Sequence, residues 1–509
     1  MSLLIVFILT AVISSYAATP KQCFDNTFHF GVGSSALQTE GAWNLSGKGE
    51  SIWDRYSHDN QDLVFDHTNA DVATDSYHKY KDDIRNIKKL GVTFYRFSIA
   101  WSRILPTGLI DEINEDGIKH YHAVIDELLK EGIKPMVTMY HWDLPQSLQE
   151  LGGWTNPIIA DYFVDYARVL LQNFGGKVNT WVTFNEPYSF CHDGYGGLYA
   201  PGTRSSGRHD YLCGHNVLRA HGMAFRMYEK EFSHLKASVS ITLNMSWLEP
   251  ATTSVDDQAA AERARQFSFG WFGHPILSKD GDYPPAMREA INRNSRIQGF
   301  NHSRLPTFTP EEVAMIKKSY HFVGLNHYTT FLVRLILAGI CKVSKRSGII
   351  DTKPSYENDV GAILRQSPTW PKTNSSWLKV VPWGFRKALN WIKNTYNNPR
   401  LFITENGVSY EAGLQDVKRV NYIEAYLRSV HDAIYKDGCN VFGYTYWSLM
   451  DNYEWMRGYS ERFGLFEVDY KSSNLTRSAR LSAAFYSTVA RTKCIPDNFN
   501  YNFNNDTNN

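Results

Sequence analysis

The sequence has almost no excess charge of either sign and, beyond its first residues, no long uninterrupted hydrophobic run. It carries 53 basic and 52 acidic residues, for a formal net charge of +1, without a basic stripe or a basic amphipathic segment. These absences argue against a nucleic-acid partner and against a protein that lies on a membrane surface. The apolar stretch Phe331–Ile340 is interrupted by Arg334, so it does not predict a membrane-spanning helix.

The chain also lacks a low-complexity linker between residues 20 and 495 and any short-period repeat. Its 509 residues allow either one large α/β barrel with insertions or three ordinary domains. We expect a single domain over residues 18–495, followed by an Asn-rich, disordered tail over residues 496–509. Aromatic residues make up 14% of the sequence, which fits rings that stack on sugars but is more simply explained by a large core.

The first 17 residues predict a cleaved secretory signal peptide. The apolar stretch Leu3–Ile13 is too short to span a bilayer, and small residues precede a cleavage site after Ala17. A short membrane anchor is the alternative, because this segment has no Lys or Arg before its apolar part. Six Asn-x-Ser/Thr sequons agree with an extracellular protein; they are Asn44, Asn244, Asn301, Asn374, Asn474 and Asn505.

Strand-like apolar runs alternate with helical segments along the whole chain, which is typical of βα units around a parallel sheet. The helical segments include residues 74–90, 117–129 and 421–436, and each is followed within three residues by glycine. The alternation predicts a single (β/α)8 TIM barrel with inserted loops at its C-terminal rim. The eight predicted strands are Phe28–Gly33, Phe94–Ile99, Met136–Tyr140, Thr180–Phe184, Ser238–Leu243, Phe322–Asn326, Leu401–Thr404 and Val441–Trp447.

Two glutamates stand at the ends of predicted strands four and seven. Glu186 lies in Thr-Phe-Asn-Glu-Pro and Glu405 in Ile-Thr-Glu-Asn-Gly, 219 residues further along. In a barrel of this kind, catalytic side chains lie at the carboxyl ends of the strands. Two carboxyl groups brought together there are the minimum needed to cleave a glycosidic bond. The alternative for each glutamate taken alone is a salt bridge at the rim of the barrel.

Cysteine is scarce, with six in the chain, and an oxidising compartment would allow bridges between them. Cys191 and Cys213 flank the loop after the Glu186 strand and are the favoured pair. Cys23 and Cys494 would tie the two ends of a closed barrel together. Cys439 is expected to be a buried free thiol, although the connectivity cannot be deduced from sequence.

Several further motifs occur in a characteristic order around the two glutamates. They are Gly33–Ala42, Tyr95–Arg103, Tyr140–Pro145, Trp447–Trp455 and Arg462–Leu465. Taken together, these motifs resemble glycoside hydrolase family 1, the retaining β-glucosidase family, over Asp25–Lys493. The resemblance implies the barrel fold, retention of anomeric configuration, and neither a metal nor an organic cofactor.

The resemblance also implies a role for each catalytic residue. Glu405 would be the nucleophile, and Glu186 would be the acid that protonates the leaving group and then the base for water. Arg96 and Tyr328 would support the nucleophile, Arg96 by keeping it ionised. Glu186 must instead stay protonated near neutral pH, which the neighbouring negative charge of Glu405 would favour.

A further set of residues matches the family positions that bind the sugar. They are Gln38, His141, Asn185, Asn326, Trp447, Glu454 and Trp455, with Trp447 as the platform under the ring. Outside these motifs, His141 would be interpreted as a core histidine and the two tryptophans as core aromatics. The Glu454 carboxylate would repel a 6-phosphate, so an unphosphorylated β-glucoside is expected, with β-galactosides and β-fucosides also tolerated.

Some positions depart from the family pattern and leave the aglycone open. Leu37 and His327 replace common aromatics and are expected to reshape the edge of the pocket. The basic residues of the Thr329–Lys379 loop are expected to form a solvated face; the alternative is that they attract an anionic aglycone. The expected activity is a secreted retaining β-glucosidase. The first alternative is a thioglucosidase (myrosinase) acting on glucosinolates, whose plant members replace the acid glutamate. The second is a non-catalytic glycan-binding barrel, a type that loses a catalytic carboxylate.

Overall fold

Eight parallel strands close into a barrel in the computed structural model, which describes residues 22–335, 353–497 and 499. Each strand pairs with the next along the chain, and β8 closes onto β1 in register from His29–Gly443 to Gly33–Trp447. The predicted TIM barrel is confirmed, and no strand bound differs from its prediction by more than two residues. The strands are β1 (His29–Gly33), β2 (Phe94–Ser98), β3 (Lys134–Tyr140), β4 (Thr180–Asn185), β5 (Ser238–Asn244), β6 (Val323–Asn326), β7 (Leu401–Asn406) and β8 (Val441–Trp447).

Helices follow the strands and cover the outside of the barrel. The first long helix ends where predicted, because Gly91 takes a left-handed conformation (φ +69°) that caps the last turn. The backbone amide of Gly91 donates to the carbonyl of Lys88. The longer helices are Ser76–Leu90, Glu115–Lys130, Ile159–Phe174, His209–Met227, Val255–Leu277, Pro285–Ile297, Pro382–Thr395, Val417–Tyr435 and Leu481–Thr492. Shorter ones are Ala36–Thr39, Ile52–Asp59, Trp101–Ile104, Gln146–Glu150, Pro187–Ser189, Pro310–Ile316 and Tyr356–Val360.

The inside of the barrel changes from apolar at its N-terminal end to polar at its C-terminal end. A separate buried cluster fills the N-terminal end and consists of Phe94, Met136, Val182, Phe322 and Phe402. Side chains alternate along a strand, so Arg96 and Thr404 lie on the same face as Phe94 and Phe402, one layer higher. Both are fully buried, and the Arg96 guanidinium donates to the Thr404 carbonyl at 3.4 Å.

Two small sheets lie outside the barrel and were not predicted. One has three strands, Trp247–Pro250, Thr330–Leu335 and Ala362–Arg365, and the other pairs Phe466–Val468 with Arg477–Ala479. Each of these strands has three to six residues, so their apolar patterns are too short to be distinguished from loop. They order the long connections that follow β5, β6 and β8.

The cysteines form the bridges that the sequence suggested. Cys191 bonds Cys213, Cys23 bonds Cys494, and Cys439 is a buried free thiol. No helix within the described ranges is long and apolar enough to cross a membrane. The signal peptide (residues 1–17), Cys341, Asn505 and all but a few residues of the predicted tail lie outside the described residues.

Candidate active site

Strands β4 and β7 carry register irregularities at the point where each brings a glutamate to the rim. On β4, Thr183 and Phe184 both face the helices, since Thr183 contacts His221 and Phe184 stacks on Phe163 at 4.3 Å. The pairing with β5 shifts before Asn185, whose side chain then faces the inside of the barrel. Such shifts re-aim side chains next to active sites.

The corresponding shift on β7 lies between Ile403 and Glu405. Strict alternation would turn Glu405 away from the axis, because Thr404 already faces inward. Instead Glu405 pairs with Asn326 of β6, and its carboxyl group reaches the Arg96 guanidinium. The irregularity therefore explains how two consecutive side chains of β7, Thr404 and Glu405, both face the inside of the barrel.

Glu405 accepts a strong hydrogen bond at each carboxylate oxygen. Arg96 donates Nη1 to Oε1 at 2.5 Å, and Tyr328 donates its hydroxyl to Oε2 at 2.6 Å. Burial and the Glu405 charge raise the pKa of Tyr328 well above its ordinary value, so the phenol remains a donor. These two contacts fix the orientation of the carboxyl group and hydrogen-bond its charged form.

Glu186 occupies a different environment from Glu405. It begins the short helix after β4 with a left-handed backbone (φ +50°), and no cation is among its hydrogen-bond partners. Asn326 donates Nδ2 to its Oε1 at 2.6 Å, and Ser189 donates its hydroxyl to Oε2 at 2.8 Å. Burial, followed by the charge of Glu405, raises the pKa of Glu186 to about 8, against the lowering effect of those donors.

Two asparagines and a histidine link the carboxyl groups. Asn185 Oδ1 accepts from Arg96 at 2.6 Å and from Asn326 at 3.1 Å, and its Nδ2 lies 3.1 Å from His141 Nε2. Burial, followed by the charge of Arg96, lowers the pKa of His141 well below its ordinary value, so the imidazole is neutral. Asn326 directs its amide to Asn185 and Glu186 and accepts from Thr404, so its side chain positions the acid.

Gln38 and Glu454 meet at the opposite side of the cavity. Gln38 donates Nε2 to the Glu454 carboxylate at 3.3 Å and accepts from Ser35 at 2.7 Å. Burial, followed by the charges of Glu461, Glu405 and Glu186, raises the pKa of Glu454 well above its ordinary value. A raised pKa favours the uncharged form of Glu454, so this group contributes less to the expected repulsion of a 6-phosphate than its place in the motif suggested.

Aromatic rings form the walls of the cavity. Trp455 stacks on Trp142 with ring centres 4.4 Å apart, and His141 lies nearly parallel to Trp447 at 5.8 Å. The cavity has a volume of about 450 Å³, enough for a sugar and part of an aglycone. All seven sugar-binding candidates line the cavity, together with Glu186, Glu405 and Tyr328, whereas Arg96 is not among the lining residues.

Two expectations about the edge of the site need correction. His327 does not shape the pocket, because it is buried and stacks on Phe385 of the outer helix at 4.3 Å. Leu37 is likewise buried and outside the cavity lining. The sequon residue Asn244 lines the cavity and donates to Ser189 at 3.1 Å.

Further lining residues were not identified from the sequence. They are Trp142, Tyr188, Ser189, Asp193, Tyr199, Asn244, Met245, Ser246, Phe331, Trp377, Arg457, Glu461 and Phe463. Two signals pointed in their direction. Asp193 and Tyr199 lie between the paired Cys191 and Cys213, and Trp377 lies in the loop expected to contact the aglycone.

The arrangement supplies one protonated and one charge-stabilised carboxyl group facing the same cavity. A carboxyl group with its pKa near 8 holds a proton that it can give to a leaving oxygen at neutral pH. A carboxylate fixed by Arg96 and Tyr328 can attack a sugar carbon from the other side. The geometry is therefore suited to the cleavage of a glycosidic bond.

The comparisons with known proteins agree with this chemistry. The model of glycosyl hydrolase family 1 matches residues 20–495. Myrosinase 1 of Brevicoryne brassicae is 43% identical over 472 residues, which cover 92% of this chain and 98% of that protein. Lactase/phlorizin hydrolase of Homo sapiens is 44% identical over 480 residues, 93% of this chain but 24% of that longer protein.

Solved structures agree in fold as well as in sequence. Aphid myrosinase superposes with a TM-score of 0.86 at 43% identity, covering 92% of this chain and 99% of that one. A β-glucosidase from rice, Os3BGlu6, gives a TM-score of 0.84 at 38% identity, covering 91% and 98%. The chain therefore belongs to glycosyl hydrolase family 1, and it is an O-glycoside hydrolase.

Proposed function

We propose that the protein is a retaining β-glucosidase that removes the terminal β-D-glucosyl residue of small glucosides. The observation that carries this proposal is the unequal environment of the two carboxyl groups. Glu405 is paired with Arg96 at 2.5 Å, whereas burial and Glu405 together raise the pKa of Glu186 to about 8. One group is thereby suited to attack and the other to protonate.

In the proposed mechanism, Glu405 attacks the anomeric carbon while Glu186 gives its proton to the departing oxygen. The covalent glucosyl–enzyme then loses the negative charge of Glu405, which had raised the pKa of Glu186. Glu186 becomes a better base, removes a proton from water, and that water releases glucose from Glu405. Asn326 and Ser189 hold Glu186 in place through both steps.

The sugar cradle of this proposal consists of Gln38, His141, Asn185, Trp447, Glu454 and Trp455. Gln38 and Glu454 form a bidentate edge for vicinal hydroxyls, and Asn185 keeps one amide hydrogen for the 2-hydroxyl. Trp447 and Trp455 offer flat faces to the ring. Asn326, which was also expected to bind sugar, contributes indirectly by donating a hydrogen bond to Glu186.

A thioglucosidase is the second candidate, supported by the 43% identity to Myrosinase 1 of Brevicoryne brassicae. A glucosinolate presents the same β-glucosyl group to the cradle, so the two activities differ in the linking atom, sulfur or oxygen, and in the aglycone. Both glutamates are present, as in animal thioglucosidases, and this argues against both the plant type and a non-catalytic glycan-binding barrel.

A substrate panel tests the proposal. We expect hydrolysis of an aryl β-D-glucoside, cellobiose or both, and little turnover of a glucosinolate. NMR of the first product should show β-glucose before mutarotation. Release of α-glucose would contradict a retaining mechanism, and turnover of the glucosinolate alone would favour the thioglucosidase.

We also propose that the protein is secreted after removal of residues 1–17. Two disulfide bonds and the exposed sequon residues Asn44, Asn301, Asn374 and Asn474 support an oxidising, glycosylating route. Mass spectrometry of the protein from the medium of expressing insect cells should give an N-terminus at Ala18. Retention of the full chain in the membrane fraction would contradict this.

A further inference from the structure

The part of the cavity beyond the sugar cradle has its own lining. It begins next to the acid, where Tyr188 and Ser189 follow Glu186 and Asn244 contacts Ser189. Because the acid protonates the departing oxygen, the aglycone must lie on this side. We call this region the aglycone half and define it by Tyr188, Asp193, Tyr199, Trp377, Arg457 and Glu461.

Aromatic rings in the aglycone half are held by neighbouring rings and suit a flat group. Trp377 meets the ring of Tyr328 edge-on at 5.6 Å. Tyr199 packs against Trp53 at 5.9 Å and Trp142 at 6.4 Å. An aromatic aglycone can therefore stack here without reorganisation of the walls.

Among the described residues that line this half of the cavity, carboxyl groups outnumber cations. Asp193 and Glu461 line it, and Glu454 lies where it meets the sugar cradle. Asp193 and Glu461 both raise the pKa of Tyr199, after the larger effect of burial, and Arg457 lowers it, so this phenol lies within electrostatic reach of all three side chains. An aglycone beside Tyr199 would experience the same field.

Arg457 is the one cation among the described lining residues, and it already has partners. Its Nε donates to Glu461 at 3.0 Å, and its guanidinium lies 3.8 Å from the centre of the Phe65 ring. Glu461 also accepts from Ser375. An anionic aglycone would have to break this pair to gain a counter-charge.

Asp193 is compensated only in part by its neighbour His192. His192 Nδ1 lies 2.8 Å from Asp193, and its Nε2 lies 3.3 Å from Glu357. Burial lowers the pKa of His192, but Tyr188, Asp193 and Glu357 outweigh burial and raise it well above its ordinary value. One imidazolium thus serves two carboxylates, and this cluster keeps a net negative charge.

We infer that the aglycone half selects against anionic aglycones and accepts neutral or cationic aromatic ones, with Asp193 as the residue that contributes most to this choice. Asp193 is the best placed because it lines the cavity with 41% of its side chain exposed, whereas Glu461 is 2% exposed and held by Arg457. The inference rests on the proposed β-glucosidase function and narrows its substrate class.

Three matched substrates test the inference: the 4-(hydroxymethyl)phenyl, 4-(aminomethyl)phenyl and 4-(carboxymethyl)phenyl β-D-glucosides. The methylene group insulates the phenol, so the leaving groups are alike and only the remote charge differs. At neutral pH we expect kcat/KM for the carboxymethyl substrate to be about tenfold below that for the hydroxymethyl one, after allowance for solvent screening. The aminomethyl substrate should equal or exceed the neutral one.

Added salt should bring the kcat/KM values of the two charged substrates closer together, because it screens partly exposed charges. Equal kcat/KM for the anionic and neutral substrates would overturn the inference while leaving the β-glucosidase proposal intact. Failure to hydrolyse any of the three would instead contradict the proposed function.

Asp193→Asn assigns the effect to a residue. We expect it to raise the ratio of kcat/KM for the carboxymethyl substrate to kcat/KM for the hydroxymethyl substrate about fivefold to tenfold. The exposed carboxylate variant Glu112→Gln is the matched control and should change neither. If Asp193→Asn changes kcat/KM for all three substrates by the same factor, Asp193 does not select charge. If the variant fails to fold, the salt dependence of the ratio between the wild-type kcat/KM values for the charged substrates still tests the charge selection.

Discussion

At the scale of single residues, Glu186 and Glu405 differ because their nearest neighbours differ. Glu405 has a guanidinium and a phenol as donors, whereas Glu186 has an amide and a hydroxyl. The neutral donors compensate less for burial, so the proton stays on Glu186. The same carboxyl chemistry thus serves two purposes within one cavity.

The pH dependence of activity follows from the pKa of Glu186. Catalysis needs the protonated form, so we expect kcat/KM for an aryl glucoside to fall above a pH of about 8. Ser189→Ala removes a hydrogen bond that lowers this pKa, so the alkaline limb should move to higher pH. A 2,4-dinitrophenyl glucoside, whose leaving group needs little protonation, is the control, and its kcat/KM should fall less at alkaline pH. An unchanged limb in Ser189→Ala would contradict this account.

At the scale of secondary-structure elements, the connection after β8 carries Glu454 and Trp455 and is tied to the last helix. Asp451 in this connection accepts from Arg480 at 2.7 and 2.8 Å and from Arg462 at 3.1 Å. Asp451 and Arg480 are both fully buried. This pairing holds one side of the sugar cradle against the body of the barrel.

Removal of the Asp451 charge should destabilise the fold. Asp451→Asn leaves the buried Arg480 with only the partly exposed Glu467 carboxylate, at 3.6 Å, as a counter-charge, and we expect this to lower the free energy of unfolding by about 3–5 kcal/mol. Urea denaturation followed by tryptophan fluorescence measures the change, with Glu112→Gln as the exposed control. An unfolding midpoint equal to that of the wild type would show that the pair contributes little.

The elements themselves were largely predictable, but the direction in which the side chains at the ends of the strands point was not. Buried apolar runs such as Val441–Trp447 identified all eight barrel strands, because a strand covered by helices needs a continuous apolar sequence. The register shifts that turn Asn185 and Glu405 inward leave no such pattern. Glu405 was found through its motif, whereas Asp193 and Trp377 lie in irregular segments and became lining residues only in three dimensions.

At the scale of the whole molecule, the bridge from Cys23 to Cys494 joins residues 471 apart. Cys23 precedes β1 and Cys494 follows the last helix, so the bridge closes the chain at the end of the barrel opposite the active site. Phe24 packs beside it on Phe28 and Phe30. The bridge is thus expected to restrain the unfolded chain without touching the chemistry.

The double variant Cys23→Ser/Cys494→Ser tests that separation. We expect it to lose about 2–5 kcal/mol of stability, seen as a shorter half-life of activity at elevated temperature. Its kcat/KM for an aryl glucoside at moderate temperature should equal that of the wild type. A large fall in kcat/KM with unchanged thermal half-life would reverse this assignment.

The identity of the nucleophile is the central claim, and covalent trapping tests it most directly. A β-glucoside with fluorine at C2 and an activated leaving group slows the second step, so the glucosyl–enzyme should accumulate. Peptide mapping by mass spectrometry should then find one fluoroglucosyl group per protein, on Glu405. A label on Glu186 or on any other residue, or the complete absence of a covalent adduct, would contradict the account.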